Sequence, residues 1–464
     1  MKFCEKENRR TNANFNIAEV LNVIMRAFCN WVSFVKKTVF RKLKAQNLIE
    51  DYNRLRKTLP TRLPDRVFIW DETLIEGEHT PTVFLTYGER VRLAQLLDET
   101  GVSIINIGFP GFSEDEREAV RRLSNENFIQ ARLAASARTI RKDIDACLNS
   151  HIREIALSTP FNNLNLKYVL KTSPEQSLRQ TVDCVEYAKK HGFTVNFVLE
   201  DASRTSIKDI LKIYEAAAKA GADRLVVEDT VGVLRPLSTH YLISRIRERL
   251  PELTKNNILL SIRCHNDFGL ATANTLAAIE EGITYPQVCV AGYGERTGLA
   301  PMEEVVVALE LLYGKNTGIN AHKLYRLSQF VEKSFTWPLA SQKPIVGEDA
   351  FSHASDKQVQ GMLGHPLSYE PFPPKMIDRE TALYMGRHLG EATVQAYLDL
   401  QGIKATPEQV AEIARRVRRS QERLDKGEMM ISFYEIKKLL RQLRKGLAEE
   451  ELKQIIRQVT KKSP

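Results

Sequence analysis

The run D-E-T-L-I-E-G-E-H at residues 71–79 decides the fold predicted for this chain. It follows the apolar segment V-F-I-W at residues 67–70, which is typical of a buried strand. An acidic run directly after such a strand places charged side chains at the strand's carboxyl end. In α/β barrels the reactive groups lie at that end of the strands. In an α/β barrel, this run would therefore lie at the end of the first strand, where the site is expected.

Apolar segments and helical patterns alternate from this run onward. Eight segments are predicted as strands, at residues 66–71, 102–107, 128–134, 153–158, 193–199, 223–228, 257–264 and 286–290. Amphipathic helical patterns lie between them, and glycines mark the returns. Eight successive β-α units favour a (β/α)8 TIM barrel over an open sheet. The predicted fold is an α/β TIM barrel with a helical N-terminal extension and a mixed, then helical, C-terminal tail.

The 464 residues are predicted to form four segments. Residues 1–65 are a basic helical extension, and residues 66–314 are the barrel. Residues 315–403 are a linker subdomain of mixed structure, and residues 404–464 are a charged helical subdomain. The six cysteines are scattered without a C-x-x-C pair, which favours reduced thiols and a cytoplasmic location.

The formal charge of +9 is concentrated at the two ends of the chain. Residues 1–66 hold 15 Lys/Arg against 6 Asp/Glu, and residues 404–464 hold 16 against 9. The helical pattern Phe15–Lys44 is amphipathic and ends in lysines. It is expected to dock on the protein body or a partner subunit, with contact to an anionic membrane surface as the alternative. No motif for nucleic-acid binding is present.

Polar residues end nearly every predicted strand, in short recognisable motifs. These are G-F-P at 108–110, E-D-A-S-R at 200–204, D-T-V-G at 229–232, C-H-N-D-F-G-L-A at 264–271, G-Y-G-E-R-T-G at 292–298 and P-I-V-G-E-D-A-F-S-H at 344–353. Together with residues 71–79 they resemble, in order, the motifs of the metal-dependent TIM barrels that include isopropylmalate synthase, homocitrate synthase and hydroxymethylglutaryl-CoA lyase. The last motif resembles the synthases rather than the lyases.

The resemblance implies an acyltransferase that forms or cleaves a C–C bond in carboxylic or amino acid metabolism. Its partners would be a small 2-oxo acid or related carboxylate and an acyl-CoA. The synthases are dimers, so a homodimer is implied as well.

At the metal site of this family the sequence departs from the motif. The resemblance gives Asp71 and His265 as metal ligands, whereas Arg263 and Ala291 replace a histidine and an asparagine. A guanidinium is always charged and has no lone pair for a metal. The cofactor expectation is therefore none, with a divalent metal as the alternative.

Several catalytic positions of the family are also replaced. The residues now present are Ile75 for an arginine, Asn106 for an acid, and Asn165 and Gln358 for histidines. These replacements predict little condensation of acetyl-CoA with 2-oxoglutarate or 2-oxoisovalerate. The chain is thus interpreted as a diverged synthase, or alternatively as a catalytically silent homologue that serves as a binding or regulatory subunit.

Two interpretations of Arg263 follow from this substitution. In one, Arg263 supplies the positive charge that a metal would supply, Asp71 or Glu76 pairs with it, and His265 or His79 is the acid or base. In the other, Arg263 and Asp71 form a buried ion pair in an inactive site. The resemblance adds substrate-binding candidates, which are Glu200, Arg204, Thr230 and Arg296.

Overall fold

The structure, a computed structural model, describes residues 49–422, 425–444 and 446–460. The predicted helix Phe15–Lys44 lies outside these residues. The described chain divides into two compact units. The larger comprises residues 49–350, 376–378 and the described part of 425–460, and the smaller comprises residues 351–375 and 379–422.

Eight parallel strands close into a barrel in the larger unit, which confirms the predicted TIM fold. They are β1 Trp70–Asp71, β2 Ile104–Asn106, β3 Arg132–Arg138, β4 Glu154–Pro160, β5 Thr194–Glu200, β6 Arg224–Asp229, β7 Leu259–Cys264 and β8 Tyr285–Val288. The barrel closes between β1 and β8, where Trp70 pairs with Gln287. Parallel strands in sequence order bring all eight carboxyl ends to one mouth.

Strand β3 begins four residues later than the predicted segment 128–134. The cause is Asp98, whose buried carboxylate accepts hydrogen bonds from the backbone N–H groups of Ile129, Gln130 and Ala131. Backbone donors held by a side chain cannot join a strand ladder. The apolar residues 128–131 therefore form a loop instead of the start of the strand.

Helices lie between the strands, as the alternating patterns predict. They are α1 Tyr87–Thr100, α2 Glu114–Leu123, α3 Arg141–Asn149, α4 Pro174–Lys190, α5 Ile207–Lys219, α6 Pro236–Arg249, α7 Ala271–Glu280 and α8 Met302–Leu311. Helix α9, Leu324–Phe335, follows the barrel. Thr86 and Glu89 form a capping box at the start of α1, which fixes the position of that helix.

One layer of the barrel interior is apolar. Its buried members are Trp70, Ile104, Ala134, Ala156, Val198 and Val226, one from each of β1 to β6. Because strand residues alternate between faces, side chains two positions further along each strand also face inward, toward the mouth. This layer is the floor beneath the candidate site.

The smaller unit contains a short parallel pair, β9 Ser352–His353 with β10 Ala382–Leu383. Its helices are α10 Asp356–Gly364, α11 Glu391–Gln401 and α12 Pro407–Glu422. Its buried core includes Leu389, Val394, Leu398, Val410 and Ala414. Two last helices, α13 Lys426–Leu443 and α14 Glu449–Thr460, belong to the larger unit. Among the described helices, none has the length and apolar character needed to cross a membrane.

Candidate active site

Arg263 lies at the centre of a cluster of carboxylates at the mouth of the barrel. Its side chain is 11% exposed, and its Nη2 lies 2.6 Å from the Glu228 carboxylate. Its Nη1 lies 3.4 Å from Glu76 and 3.8 Å from Glu72. Burial opposes the charge, but Glu228 and Glu76 outweigh it and raise the pKa of Arg263 above its usual range. The guanidinium therefore stays charged, surrounded by three acids.

The sequence prediction missed two of these acids, Glu228 and Glu72. A signal for Glu228 was available, because it lies two residues after Val226, whose side chain faces the barrel interior. Glu72 extends the acidic run after β1 and is completely buried. Both side chains thus reach the mouth from the ends of strands.

Glu72 also contacts the residue that replaces the family's acid on β2. The Asn106 Nδ2 donates to Glu72 Oε2 at 2.8 Å. Burial raises the pKa of Glu72 to about 8, although Arg263 acts against that shift. The pair places a carboxyl group and an amide side by side on the floor of the mouth.

Glu76 and His79 form a second contact on the rim. His79 Nδ1 lies 3.3 Å from Glu76 Oε2, and the His79 side chain is half exposed. Burial alone would raise the pKa of Glu76, but Arg263 and His79 lower it to about 2. The hydrogen bond to Glu76 raises the pKa of His79 above its ordinary value. Glu76 is therefore an anion. His79 is its hydrogen-bond partner and the more exposed residue of the pair.

His265 lies beside the same acids at the end of β7. It is 3% exposed, and its Nε2 is 3.9 Å from Glu228 Oε1. Burial lowers the pKa of His265, whereas Glu76 and Glu228 act in the opposite direction. The structure thus brings Glu76, His79, Arg263 and His265 together at the mouth of the barrel, and their catalytic roles stay predictions.

Asp71 makes its recorded hydrogen bonds elsewhere. Its carboxylate accepts hydrogen bonds from the Thr73 backbone N–H at 2.9 Å and from the Thr73 hydroxyl at 2.7 Å. Burial raises the pKa of Asp71 to about 7. The Thr73 hydroxyl also accepts a hydrogen bond from the Val290 N–H, so Asp71 orients the connection between β1 and β8. The ion pairs of Arg263 are with Glu228, Glu76 and Glu72, and an Arg263–Asp71 pair does not form.

Three of the four predicted substrate-binding residues form a chain along one side of the mouth. Arg204 donates two hydrogen bonds to Asp201, at 2.8 and 2.7 Å, and the Asp201 N–H donates to the Thr230 hydroxyl at 2.7 Å. Arg296 in turn donates to the Thr230 carbonyl at 2.6 Å and to Asp267.

The fourth, Glu200, faces the central cluster from the end of β5. Burial raises its pKa to about 7, and the nearby Glu228 adds to that shift. A carboxyl group that titrates near neutrality can exchange protons with a bound molecule. Its role as a substrate-binding residue stays a prediction.

Four buried polar atoms at the mouth have no hydrogen-bond partner among the described residues. They are Glu72 Oε1, Asn106 Oδ1, Arg263 Nε and His265 Nδ1. Buried polar atoms in native proteins nearly always have partners. Their concentration here favours a site that receives a polar molecule.

Family models match two parts of the chain. The model described as HMGL-like matches residues 66–331, which is more than half of the chain. The model described as the homocitrate synthase post-HMGL domain-like region matches residues 345–425.

Curated relatives are similar over most of the chain. It is 39% identical to the 2-isopropylmalate synthase of Methanocaldococcus jannaschii over 80% of this chain and 71% of that protein. It is 37% identical to the (R)-citramalate synthase CimA of the same organism over 83% and 77%. It is 36% identical to the homocitrate synthase AksA of Methanothermobacter thermautotrophicus over 79% and 92%.

Solved structures show the same fold. The Bacillus subtilis HMG-CoA lyase has a TM-score of 0.54 and 21% identity, and covers 60% of this chain and 96% of that one. The Pseudomonas aeruginosa hydroxymethylglutaryl-CoA lyase has a TM-score of 0.52 and 20% identity, over 59% and 94%. At these identities the comparison shows a shared barrel fold and nothing more.

The relatives correct the cofactor expectation. Isopropylmalate and homocitrate synthases of the HMGL-like family use a divalent metal in catalysis, so the expectation of no cofactor is wrong for this family. The local geometry does not match a metal site of protein side chains. Among the described residues, no three His, Cys, Asp or Glu side chains are grouped to hold a metal ion. The Arg263 guanidinium lies among the acids instead.

A histidine at position 263 is expected to improve metal binding. Arg263→His removes the cation and adds an imidazole two residues before His265, near Glu76 and Glu228. We expect the affinity for Mn²⁺ or Zn²⁺, measured by isothermal titration, to rise at least about tenfold over the wild type. Arg296→His, on the outer rim, is the matched control and should leave the affinity unchanged. Equal affinities of wild type and Arg263→His would contradict this expectation.

The family models and the curated relatives indicate the same family. The model that matches more than half of the chain ends at residue 331, beyond the last strand of the barrel. The second model adds the region that follows the barrel in homocitrate synthases. The relatives at 36–39% identity are synthases. The chain belongs to the HMGL-like family and is similar to its 2-isopropylmalate, homocitrate and (R)-citramalate synthases.

Proposed function

We propose that this protein joins an acyl-CoA to a small 2-oxo acid by forming a C–C bond. The observation that carries the proposal is the cluster of Arg263, Glu228 and His265 at the mouth of a synthase-type barrel. The relatives named as synthases are enzymes of this acyl-CoA:2-oxo acid class. A buried charged group beside an imidazole with a free nitrogen is suited to a reaction with an anionic intermediate.

The proposed chemistry begins with proton removal by His265. Its Nδ1, which has no hydrogen-bond partner among the described residues, accepts the proton from the carbon next to the thioester carbonyl. Glu228 and Glu76 favour the resulting imidazolium. The enolate carbon then forms a bond to C2 of the 2-oxo acid, and the electron pair of the C=O bond moves to oxygen.

Arg263 and His265 complete the reaction. The positive Arg263 stabilises the alkoxide that forms on C2. The His265 imidazolium returns its proton to that oxygen, so the imidazole is regenerated. Water then cleaves the thioester, and the CoA thiol is released.

Thiol release measures this proposal directly. Acetyl-CoA would be incubated with pyruvate, 2-oxobutanoate, 2-oxoisovalerate or 2-oxoglutarate, with and without Mn²⁺ or Zn²⁺. We expect release at about 1 per second or more with at least one acid. Because Ile75 and Gln358 replace family residues, 2-oxoisovalerate and 2-oxoglutarate are expected to be poor substrates. Absence of thiol release with every acid would contradict the proposal, and a silent binding subunit, which the comparisons do not support, would then be favoured.

A homodimer in the cytoplasm is part of the proposal. Support comes from α13, where Met429, Ile431, Phe433 and Ile436 are at least 57% exposed. Clustered exposed apolar side chains are typical of interaction surfaces. Four cysteines, at 147, 184, 264 and 289, are buried as free thiols, which is consistent with a reducing compartment.

Light scattering tests the assembly. A chain of 52.9 kDa should give a particle of about 106 kDa at micromolar concentration. Phe433→Glu should reduce the mass, because it places a charge on the apolar face of α13. Tyr241→Glu, at an exposed tyrosine on α6, is the control. A mass near that of one chain for the wild type would contradict the dimer.

A further inference from the structure

A second group of polar side chains lies at the amino ends of the strands, at the opposite end of the barrel from the mouth. The group comes from β3, β4, β5 and β6, and each member lies two residues before a residue of the apolar layer on its own strand. Their side chains therefore also face the barrel interior. They are Arg132, Glu154, Asn196 and Arg224. A charged layer thus lies on the other side of the apolar floor from the candidate active site.

Arg224 is held in a fixed orientation and keeps one edge of its guanidinium free. Its Nη1 donates to Glu154 at 2.5 Å and to Asn196 at 2.6 Å, and its side chain is 7% exposed. The ring of Tyr285 lies 4.3 Å from its Cζ. Its Nε is buried without a hydrogen-bond partner, and its Nη2 has no recorded partner among the described residues. Nε and Nη2 form an edge with which arginine binds an oxyanion through two parallel hydrogen bonds.

Two more arginines lie on the solvent side of Arg224. Arg132 places Nη1 3.1 Å from the second oxygen of Glu154, and its side chain is 47% exposed. Arg66 is exposed, with Cζ 4.8 Å from the centre of the Phe68 ring, and that ring stacks on Tyr285 at 5.1 Å. The amino-end cluster consists of Arg66, Phe68, Tyr285, Arg224, Glu154 and Arg132.

The amino-end cluster has an excess of positive charge. It contains three arginines and one acid, which leaves two positive charges. Two further acids, Asp65 and Asp223, lie next to residues of the cluster in the sequence, but each binds a lysine. Asp65 binds Lys315 at 3.2 Å, and Asp223 binds Lys189 at 2.8 Å. Arginines in excess of the available acids attract an anion.

Buried polar atoms without partners continue into the apolar layer next to this cluster. Gln287, two residues after Tyr285 on β8, is completely buried, and its Oε1 and Nε2 have no hydrogen-bond partner among the described residues. The same is true of Nε1 of Trp70, the β1 residue that pairs with Gln287. Buried polar atoms in native proteins nearly always bind another polar group or an ordered water. Together with Arg224 Nε, these atoms favour a polar guest at the amino end of the barrel.

We propose that the amino-end cluster is a second binding site, which takes a small oxyanion, either a carboxylate or a phosphate. The free edge of Arg224 donates two hydrogen bonds to the anion, and Arg132 and Arg66 contact it from the solvent side. Carboxylates and phosphates share the pair of oxygens that this edge recognises. An aromatic ligand is not favoured, because the stacked rings of Phe68 and Tyr285 are already covered by guanidinium groups. The site is independent of the proposed reaction at the mouth.

Thermal unfolding of the full chain tests this site, because an anion that binds only the folded state raises Tm with its concentration. Sodium phosphate and sodium acetate are compared with sodium chloride at equal ionic strength and pH, so that salt screening is constant. We expect at least one of the two oxyanions, at about 50 mM, to raise Tm by about 2 °C or more over chloride. A response to acetate alone identifies a carboxylate site, and a response to phosphate alone identifies a phosphate site.

A double variant locates the bound anion. Arg66→Gln combined with Arg132→Gln removes the two outer charges and leaves the buried pair of Arg224 and Glu154, so the fold should be retained. The dissociation constant of the effective anion, measured by isothermal titration, is expected to rise at least about tenfold.

The matched control is Arg245→Gln combined with Arg121→Gln, on the outer helices. Arg245 also lies over an aromatic ring, at 5.5 Å from Tyr241, and Arg121 also binds a glutamate, Glu118, at 2.8 Å. This control should bind the anion as the wild type does.

Arg224→Lys tests the free edge itself. Lysine retains the positive charge beside Glu154, but an ammonium group has no planar edge with two parallel N–H donors. We expect the chain to fold and the dissociation constant of the effective anion to rise about tenfold.

Two results would overturn the proposal. One is a wild type whose Tm is the same in phosphate, acetate and chloride, which would make the amino-end cluster a purely structural feature of the barrel. The other is binding by the double variant or by Arg224→Lys that equals binding by the wild type, which would place the anion elsewhere. Thiol release enters neither measurement, so failure of the proposed reaction leaves this test unaffected.

Discussion

Arg263→Met is expected to lower the free energy of unfolding by about 3–5 kcal/mol at pH 7. Arg263 is the only recorded cation that pairs with Glu228 and Glu72 among the described residues, apart from His265 near Glu228. Removing it leaves Glu228 and Glu76 as buried anions without their main partner. Methionine is similar in length, so the loss of packing is small. Urea unfolding followed by circular dichroism measures the change.

The pH dependence of this loss has a definite sign. In the wild type the pKa of Glu76 is lowered from 4.5 to about 2, so its stabilisation is present above pH 4.5 and is lost as the pH falls toward 2. In Arg263→Met the largest of the causes that lower the pKa of Glu76 is gone, and burial, which acts to raise that pKa, is opposed only by the histidines His79 and His265. The variant therefore gains stability relative to the wild type as the pH falls, and the difference at pH 5 is smaller than at pH 7.

Arg296→Met is the matched control for this experiment. Arg296 also binds a carboxylate with two nitrogens, but its side chain is 36% exposed. Exposed pairs of this kind contribute about 0–1 kcal/mol. In addition, Glu228→Gln combined with Arg263→Met should recover part of the lost stability. A destabilisation by Arg263→Met no larger than that of Arg296→Met would show that the cluster is solvated.

His265→Gln is expected to reduce kcat for thiol release by about 10²- to 10⁴-fold, the usual contribution of a general base. Glutamine retains a hydrogen-bonding group of similar size but cannot accept the proton. Because glutamine is similar in size to histidine and can still form hydrogen bonds, the dissociation constant for CoA should not change. Steady-state kinetics and isothermal titration on the same preparation check the two statements.

His240→Gln is the control for His265→Gln. His240 also lies beside two glutamates, with Nε2 at 2.8 Å from Glu280 and Nδ1 at 3.3 Å from Glu281, but on the outside of the barrel. It should retain full activity. Retention of kcat by His265→Gln would refute its role as the base and would direct attention to Glu200.

The fold was predictable because barrel strands and helices are encoded by local patterns. Nearly every apolar run ends at a polar residue, and most amphipathic helices end near a glycine or a cap. The start of β3 was predicted four residues too early, and the cause is long-range. The Asp98 carboxylate accepts hydrogen bonds from backbone groups more than 30 residues away. Local periodicity contains no information about such a contact.

The site was predictable only in part. Glu76, Arg263 and His265, which the motif positions named as candidates, lie together at the mouth. Two partners of Arg263, Glu228 and Glu72, were missed, because pairing depends on which strands lie around β7. Register places Glu228 directly beside Arg263 on the neighbouring β6, whereas Asp71 is held by Thr73 on the far side. Strand neighbours and side-chain orientation follow from closure of the barrel.

That closure has a consequence for how the chain folds during synthesis. Strand β1 has two residues and pairs with β8, whose partner residue Gln287 lies 217 positions beyond Trp70. At about 5–20 residues per second, β1 waits roughly 10–40 s for its second neighbour. The longer strand pairings among β4 to β7 can form earlier. A ribosome that stops before residue 285 would therefore release a chain with two open strand edges, a substrate for chaperones rather than for the reaction.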